Sequence, residues 1–188
     1  AVIMPLHNWL VTATIAPVPV SALLHAIAVT KAGAFGILRV IYNVYGVGLV
    51  RQLGVGSLLA YLATITIIGG SLLALRQDNL KRRLAYSTVS QISYIILGVA
   101  LLTPLAAIGS IIHLANQAFQ KITLFFCAGA IERQTGKEKI SEMAGIGYKM
   151  PITMGAFTIA CLGFIGLPLL AGFITVWHLS LGAFQAGK

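Results

Sequence analysis

PLAAIGSIIHLANQAFQKITLFFCAGAI, residues 104–131, is an apolar run with Lys121 near its middle. About 20 apolar residues suffice to cross ~30 Å of hydrocarbon as a helix, and this run is long enough. Lys121 lies 11 residues before Glu132, about 16 Å along a helix axis, which puts it near mid-membrane. A lysine at that depth costs ~2.5–3.5 kcal/mol on insertion scales. A second lysine, Lys31, stands within another apolar run, roughly 20–42. An intramembrane ionisable side chain is by default a functional residue, usually on a proton or ion path.

Composition supports the membrane reading. The chain is 58% hydrophobic and 9% charged, with a mean hydropathy of +0.92. A water-soluble domain of 188 residues could not cover its surface with so few charges. Gly, Ala, Leu and Ile dominate, without the ten-residue alternation of a barrel. The fold class expected is therefore all-α integral membrane, a polytopic helical bundle. The net charge of +9 is explained by membrane topology and does not require nucleic acid. Cys127 and Cys161 both lie inside apolar spans without metal-ligand spacing and read as small packing residues. The chain opens at Ala1 in mid-pattern, and a piece of a longer protein is expected.

Breaks in apolarity give the spans. A short piece covers about 1–15 and stops at Ala16-Pro17-Val18-Pro19, where two prolines end one helix and suit the start of the next. Spans follow at about 20–42, with a loop near Arg51, and at 55–75, 84–102 and 104–131. The last covers 150–181, too long for one straight crossing, and is interrupted at Gly163-Phe-Ile-Gly-Leu-Pro168. Loops 76–83 and 132–149 then fall on one side and hold eight of the thirteen basic residues. Arg39, Arg51 and Lys188 belong to the other. The eight-charge side is expected to be cytoplasmic. All four acids lie there too, so no carboxylate within the spans neutralises either lysine.

His113, Gln117 and Lys121 recur at i, i+4 and i+8 and form one stripe that drifts ~40° per step on a helix. Histidine titrates near neutrality, glutamine hydrogen-bonds water, and lysine can give up its proton when desolvated. Such a stripe can hand protons along a hydrated file, or it can glue helices together. His25 and Lys31 are six residues apart, ~120° around the helix, so they do not share a face. Haem ligation by His25 and His113 is a further alternative without other support.

Pro168 lacks an N–H, and its ring would clash with the carbonyl of Phe164, so the last helix must kink or break. Gly163 and Gly166 ease a break. Broken helices at membrane depth often mark ion paths. A smaller polar line, Ser87, Ser90, Gln91 and Tyr94, faces the bundle interior in this reading, either to hydrate a channel or to bond helices.

Taken together, Ala16-Pro-Val-Pro-Val-Ser-Ala-Leu-Leu-His25, Lys31-Ala-Gly, Leu80-Lys-Arg-Arg-Leu-Ala-Tyr-Ser-Thr-Val-Ser-Gln91 and His113…Lys121 resemble the antiporter-like subunits of respiratory complex I. Mrp-type cation/proton antiporters and membrane-bound hydrogenases share that family. The resemblance covers essentially the whole chain. It implies a fragment of a roughly 14-helix fold with discontinuous helices, spanning about helices 7 to 12, as a single transmembrane domain, residues 1–188. It implies that Lys31 bridges the first half-channel and that His113 and Lys121 form the central relay of the second. His25 falls at the family's histidine position near the start of the eighth helix. The chain departs from the pattern at Gln117, where many members carry a second histidine. It departs again at Val176, where lysine or a carboxylate is common and His178 lies two residues away.

The function expected is translocation of H+, or exchange of Na+ for H+, in a bacterial or archaeal cell membrane. The ion-path residues would be Lys31, Lys121, His25, His113 and Gln117, with a helix break at Pro168 and Gly166. Other membrane subunits and the lipid bilayer are the expected partners. No cofactor or metal is expected, since redox motifs are absent and any redox chemistry falls to partner subunits. The rival reading is a non-conducting membrane arm that anchors redox or hydrogenase subunits, its lysines locked in hydrogen bonds.

Overall fold

The computed structural model describes residues 3–26 and 28–187. Ten α-helices are arranged among them: α1 (Asn8–Thr12), α2 (Val18–Ala26), α3 (Ala28–Arg39), α4 (Gly46–Gln52), α5 (Val55–Arg76), α6 (Leu80–Ala100), α7 (Pro104–Thr135), α8 (Ile146–Lys149), α9 (Pro151–Ile165) and α10 (Ala171–Gln185). No β-strand occurs among the described residues, apart from an isolated bridge between Asn79 and Lys139.

α5 shows how the bundle is built. Gly56, Ala63, Thr66, Gly70 and Ala74 form its buried face, and α6 packs closely along it. A Cβ on Gly70 would sit 3.3 Å from the Ser90 amide nitrogen, so small residues set how near the two helices come. Leu58, Tyr61, Ile65, Ile68, Leu72 and Leu75 make the opposite, exposed stripe. An apolar ridge of that length suits lipid and not water.

α7 is the hub. It packs against α6, α10, α2 and α9. Thr103 caps its N-terminus by accepting from the Ala106 N–H, with Pro104 in the first turn, and Gly136 ends it at φ 68°. Its 32 residues measure about 48 Å, so its last turns project beyond the ~30 Å of hydrocarbon. One core cluster joins Leu10, Ala34, Ala63 and Ile92 across α1, α3, α5 and α6. A second joins Ala22, Leu84, Leu124, Phe125 and Ala160 across α2, α6, α7 and α9.

The structure moves several expected boundaries. The second span does not stop at Tyr42, because a π-helical segment, Val40–Tyr45, carries it onward. Gly46, at φ 74° and ψ 152°, then turns the chain, and the expected loop near Arg51 is the short helix α4, which holds Arg51 in its last turn. α6 begins at Leu80 and not residue 84, since Asn79 caps it by accepting from the Arg82 N–H at 3.2 Å. α7 runs four residues past Ile131. The last run is two helices, with a break between Ile165 and Ala171. There Gly166 adopts φ 85° and Leu169 φ 78°, and Pro168 lies exposed in the turn.

Loops 76–83 and 132–149 are held together. The Leu80 N–H donates to the Glu138 carbonyl at 3.0 Å, and the Ile140 N–H to that of Asp78 at 2.8 Å. Lys81 pairs with Glu132 at 3.0 Å. Asp78 accepts from the Ser141 hydroxyl at 2.8 Å and its N–H at 3.1 Å. Those bonds, the hydroxyl's first, with Lys139 and Arg83 nearby, hold the Asp78 carboxyl below the usual carboxylate range. The clasp is therefore fully present above the unfolded carboxyl's pKa of ~3.9 and is lost as pH falls through the lowered folded value. Asp78→Asn is expected to speed amide hydrogen exchange at Ser141 at neutral pH. The parental amide should stay protected from neutrality down to about pH 4. Equal exchange in the two proteins would show that this clasp does not order the loop.

Candidate functional site

α6 and α7 run side by side, and their facing residues make a polar seam inside an apolar bundle. His113, Gln117 and Lys121 are all buried, Lys121 completely at 0% exposed. Their i, i+4 spacing puts all three on the face that α7 turns to its neighbours. Phe125 continues the same stripe one turn further on and is also fully buried.

The Lys121 ammonium donates to the Leu84 carbonyl at 3.1 Å and to the Ser87 hydroxyl, both on α6. Its third side lies 4.4 Å from the centroid of the Phe164 ring. Phe164 is in the last turn of α9, just before the helix break. An ammonium with three donors is thus satisfied by a carbonyl, a hydroxyl and a ring face, without a carboxylate among the described residues.

Gln117 and His113 meet on Gln91. The Gln117 side-chain NH2 donates to Gln91 Oε1 at 3.0 Å, and His113 Nε2 reaches the same oxygen at 3.0 Å. His113 Nδ1 lies 3.3 Å from the Thr175 hydroxyl on α10, and that hydroxyl donates to the Gly172 carbonyl at 2.6 Å. Tyr94 stands edge-on to the imidazole, ring centroids 6.1 Å apart. Gln117 Oε1 is buried without a protein partner. Beside this chain opens a cavity of about 410 Å³, lined by Gln91, His113, Gln117, Phe164, Thr175 and Val176. Its wall is mainly apolar, with Gln91, His113, Gln117 and Thr175 as polar groups on one side, and it is large enough for several waters.

The second cluster is different. His25 is fully buried on α2 and Lys31 is buried on α3, and among the described residues neither ring nitrogen of His25 is bonded and the Lys31 ammonium is unpaired. The His25 ring stacks on Phe125 with centroids 5.0 Å apart, which brings it to the end of the Lys121 stripe. The Thr30 hydroxyl donates to the His25 carbonyl at 3.0 Å, a side-chain bond to a carbonyl five residues back. A residue kept to glue helices has its partner on the next helix. Among the described residues Lys31 and His25 have none, and an unpaired buried polar group is costly to retain.

The polar line on α6 divides. Ser90 bonds Ser71 on α5 at 3.0 Å and is an interhelical link, whereas Ser87, Gln91 and Tyr94, at i, i+4 and i+7, face the seam. Spacing does not single out Gln91 as a shared acceptor, Phe164 as a ring platform, or Thr175. Thr175 carries no sequence signal beyond standing next to Val176. Val176 lines the cavity, so a charged residue there would enter it. Cys127 is a buried packing residue, while Cys161 is only part-buried. Both His113 nitrogens are engaged, by Gln91 and Thr175.

The family model described as NADH:quinone oxidoreductase/Mrp antiporter, TM, matches residues 1–188. The chain is 41% identical over 187 residues to NADH-quinone oxidoreductase subunit N of Desulforudis audaxviator (strain MP104C), covering 98% of this chain and 37% of that protein. It is 36% identical over 191 aligned positions to Hydrogenase-4 component B of Escherichia coli (strain K12), covering 93% of this chain and 28% of that one. Among solved structures, a chain of the membrane-bound sulfane sulfur reductase, an archaeal respiratory membrane complex, superposes with a TM-score of 0.90 at 30% identity, covering 99% of this chain and 38% of that chain. The chain therefore spans well under half the length of these relatives.

Proposed function

Because the chain belongs to the NADH:quinone oxidoreductase/Mrp antiporter transmembrane family, we propose that it carries part of a path for protons, or for exchange of Na+ against H+, within a multisubunit membrane complex. The observation that carries this reading is the pairing of two kinds of buried cation. Lys121 is fully bonded, whereas Lys31 is buried and, among the described residues, unpaired. Two lysines buried in one apolar bundle cannot both hold a charge cheaply in low dielectric. Loss of a proton from one favours its retention by the other, so charge moves by coupling and rehydration and not through an open pore. His25 would serve the Lys31 side of the path. Gln117, Gln91 and His113 would extend it from Lys121 towards the cavity at the α9–α10 break, where Gly166 and Pro168 interrupt the helix.

In this reading residues 1–188 form a single transmembrane domain, corresponding to about helices 7 to 12 of the longer fold. Loops 76–83 and 132–149 face the cytoplasm of a bacterial or archaeal cell, because the basic residues concentrate there. The partners are other membrane subunits, and any redox chemistry is theirs. Val176 leaves the cavity without a charged side chain of its own at that position, so exit on that side depends on His113 and water.

The rival reading, a membrane arm that conducts nothing, draws on the complete satisfaction of Lys121. Flux separates the two. Proton and sodium movement would be measured in proteoliposomes holding the whole parent complex, with His113 intact or changed to leucine. The transport reading expects flux to fall about 100-fold, the scale of losing a positioned acid–base group, with all subunits still co-purifying. Parental flux in His113→Leu would favour the scaffold, as would a complex that fails to assemble. Sodium dependence of the parental flux tells exchange from pure proton movement.

A further inference from the structure

The Thr175 hydroxyl has one proton and two neighbours able to take it. The Gly172 carbonyl oxygen is 2.6 Å away, and His113 Nδ1 is 3.3 Å away. Gln91 Oε1 already accepts from Gln117 and has no proton of its own. With the Gln91 amide in this orientation, His113 Nε2, facing that same oxygen at 3.0 Å, is the N–H end of the ring in either charge state. Only Nδ1 is left to change. In the neutral ring it is a bare acceptor and in the cation it is a second N–H donor.

We infer that Thr175 is a positioning residue whose hydroxyl rotates with the charge on His113, donating to Nδ1 when the ring is neutral and accepting from Nδ1–H while donating to Gly172 when it is charged. The inference rests on the reading of His113 as a relay group. The proton gained at Nδ1 comes from a hydronium ion in the adjoining cavity, which is left as water, and only the new N–H bond forms. Among the described residues no other protein group facing the ring can replace the hydroxyl. α6 offers Gln91, already committed, and the edge of Tyr94. α7 offers Gln117, bonded to Gln91. Lys31 on α3 acts through its charge only, and His178 on α10 is turned to the Ile174 carbonyl at 2.7 Å.

The sign of the effect follows. A bond to an ionised group is roughly twice as strong as one between neutral groups. Loss of the hydroxyl therefore weakens the charged ring more than the neutral one. The test uses the parent complex labelled with 15N-histidine, the His113 signal being assigned by its loss in His113→Leu. Thr175→Val keeps the β-branched shape and removes the hydroxyl, and Thr175→Ser keeps the hydroxyl. In Thr175→Val the midpoint of the His113 titration is expected to move to lower pH by about half to one unit, with proton flux at neutral pH down about 10-fold. Thr175→Ser should restore both. An unchanged titration in Thr175→Val overturns the inference even if flux falls. A moved titration together with parental flux in His113→Leu would sink the transport reading and leave the hydroxyl switch standing.

Discussion

Lys121→Ala is expected to lower proton flux of the parent complex by about 100-fold or more, the scale of losing a positioned acid–base group, while the complex still assembles. The side chain lies between Leu84, Ser87 and Phe164, and no carboxylate among the described residues is placed to take over its role. Alanine also removes the stem and leaves a hole, so Lys121→Met is the cleaner variant. It keeps the volume and replaces a buried charge with an apolar group. Removal of a buried charge that has no counter-ion also relieves its desolvation cost. A pair of measurements then separates function from packing. Flux should collapse in both variants, whereas thermal stability should drop only with alanine. Parental flux in Lys121→Met would make the lysine structural and end its place in the path. If methionine instead destabilised the complex by as much as alanine, the bonds to Leu84 and Ser87 would be the reason for the lysine.

The residues that face one another along a single helix are readable from spacing alone. His113, Gln117 and Lys121 recur every four residues, and the structure buries all three on one face. The partners of that stripe are not readable, since pairing between helices depends on their rotation and offset. Gln91 belongs to a polar line on α6, yet nothing in the line tells Ser90, which bonds α5, from Gln91, which bonds α7. Thr175 has no pattern at all. Proline and glycine punctuation predicts interruption of the last run but not its extent, because Leu169 as well as Gly166 takes a positive φ. The π-helical segment Val40–Tyr45 carries no signal of its own, and apolar counting therefore ends that span at Tyr42. Charge does better: the loops assigned to one side by their basic residues are joined through Asp78, Leu80, Glu138 and Ile140.

Gly172→Ala should damage stability and transport together, because the break that frames the cavity is closed by backbone. A Cβ at Gly172 would collide with the Gly163 carbonyl group, with its carbon at 3.1 Å, and come within 3.3 Å of the Gly166 Cα. No side chain can swing aside there, so the start of α10 must move away from the end of α9. Overpacking of this kind costs ~1–3 kcal/mol. The displacement also reaches the seam. Asn116 on α7 donates to the Ala171 carbonyl at 2.8 Å, Thr175 to that of Gly172, and Phe164 covers Lys121. A shift of about 1 Å in positioned groups can lower a rate ~100-fold. Thermal unfolding and flux of the Gly172→Ala complex would be measured beside those of Gly147→Ala, where a Cβ meets nothing within 4 Å. Loss of both properties in the first variant and neither in the second is the expected result. Parental stability in Gly172→Ala would mean that the two helix ends do not meet at backbone distance. Lost stability with parental flux would detach the break from the path, leaving Lys121 and His113 to act without the geometry that α9 and α10 impose.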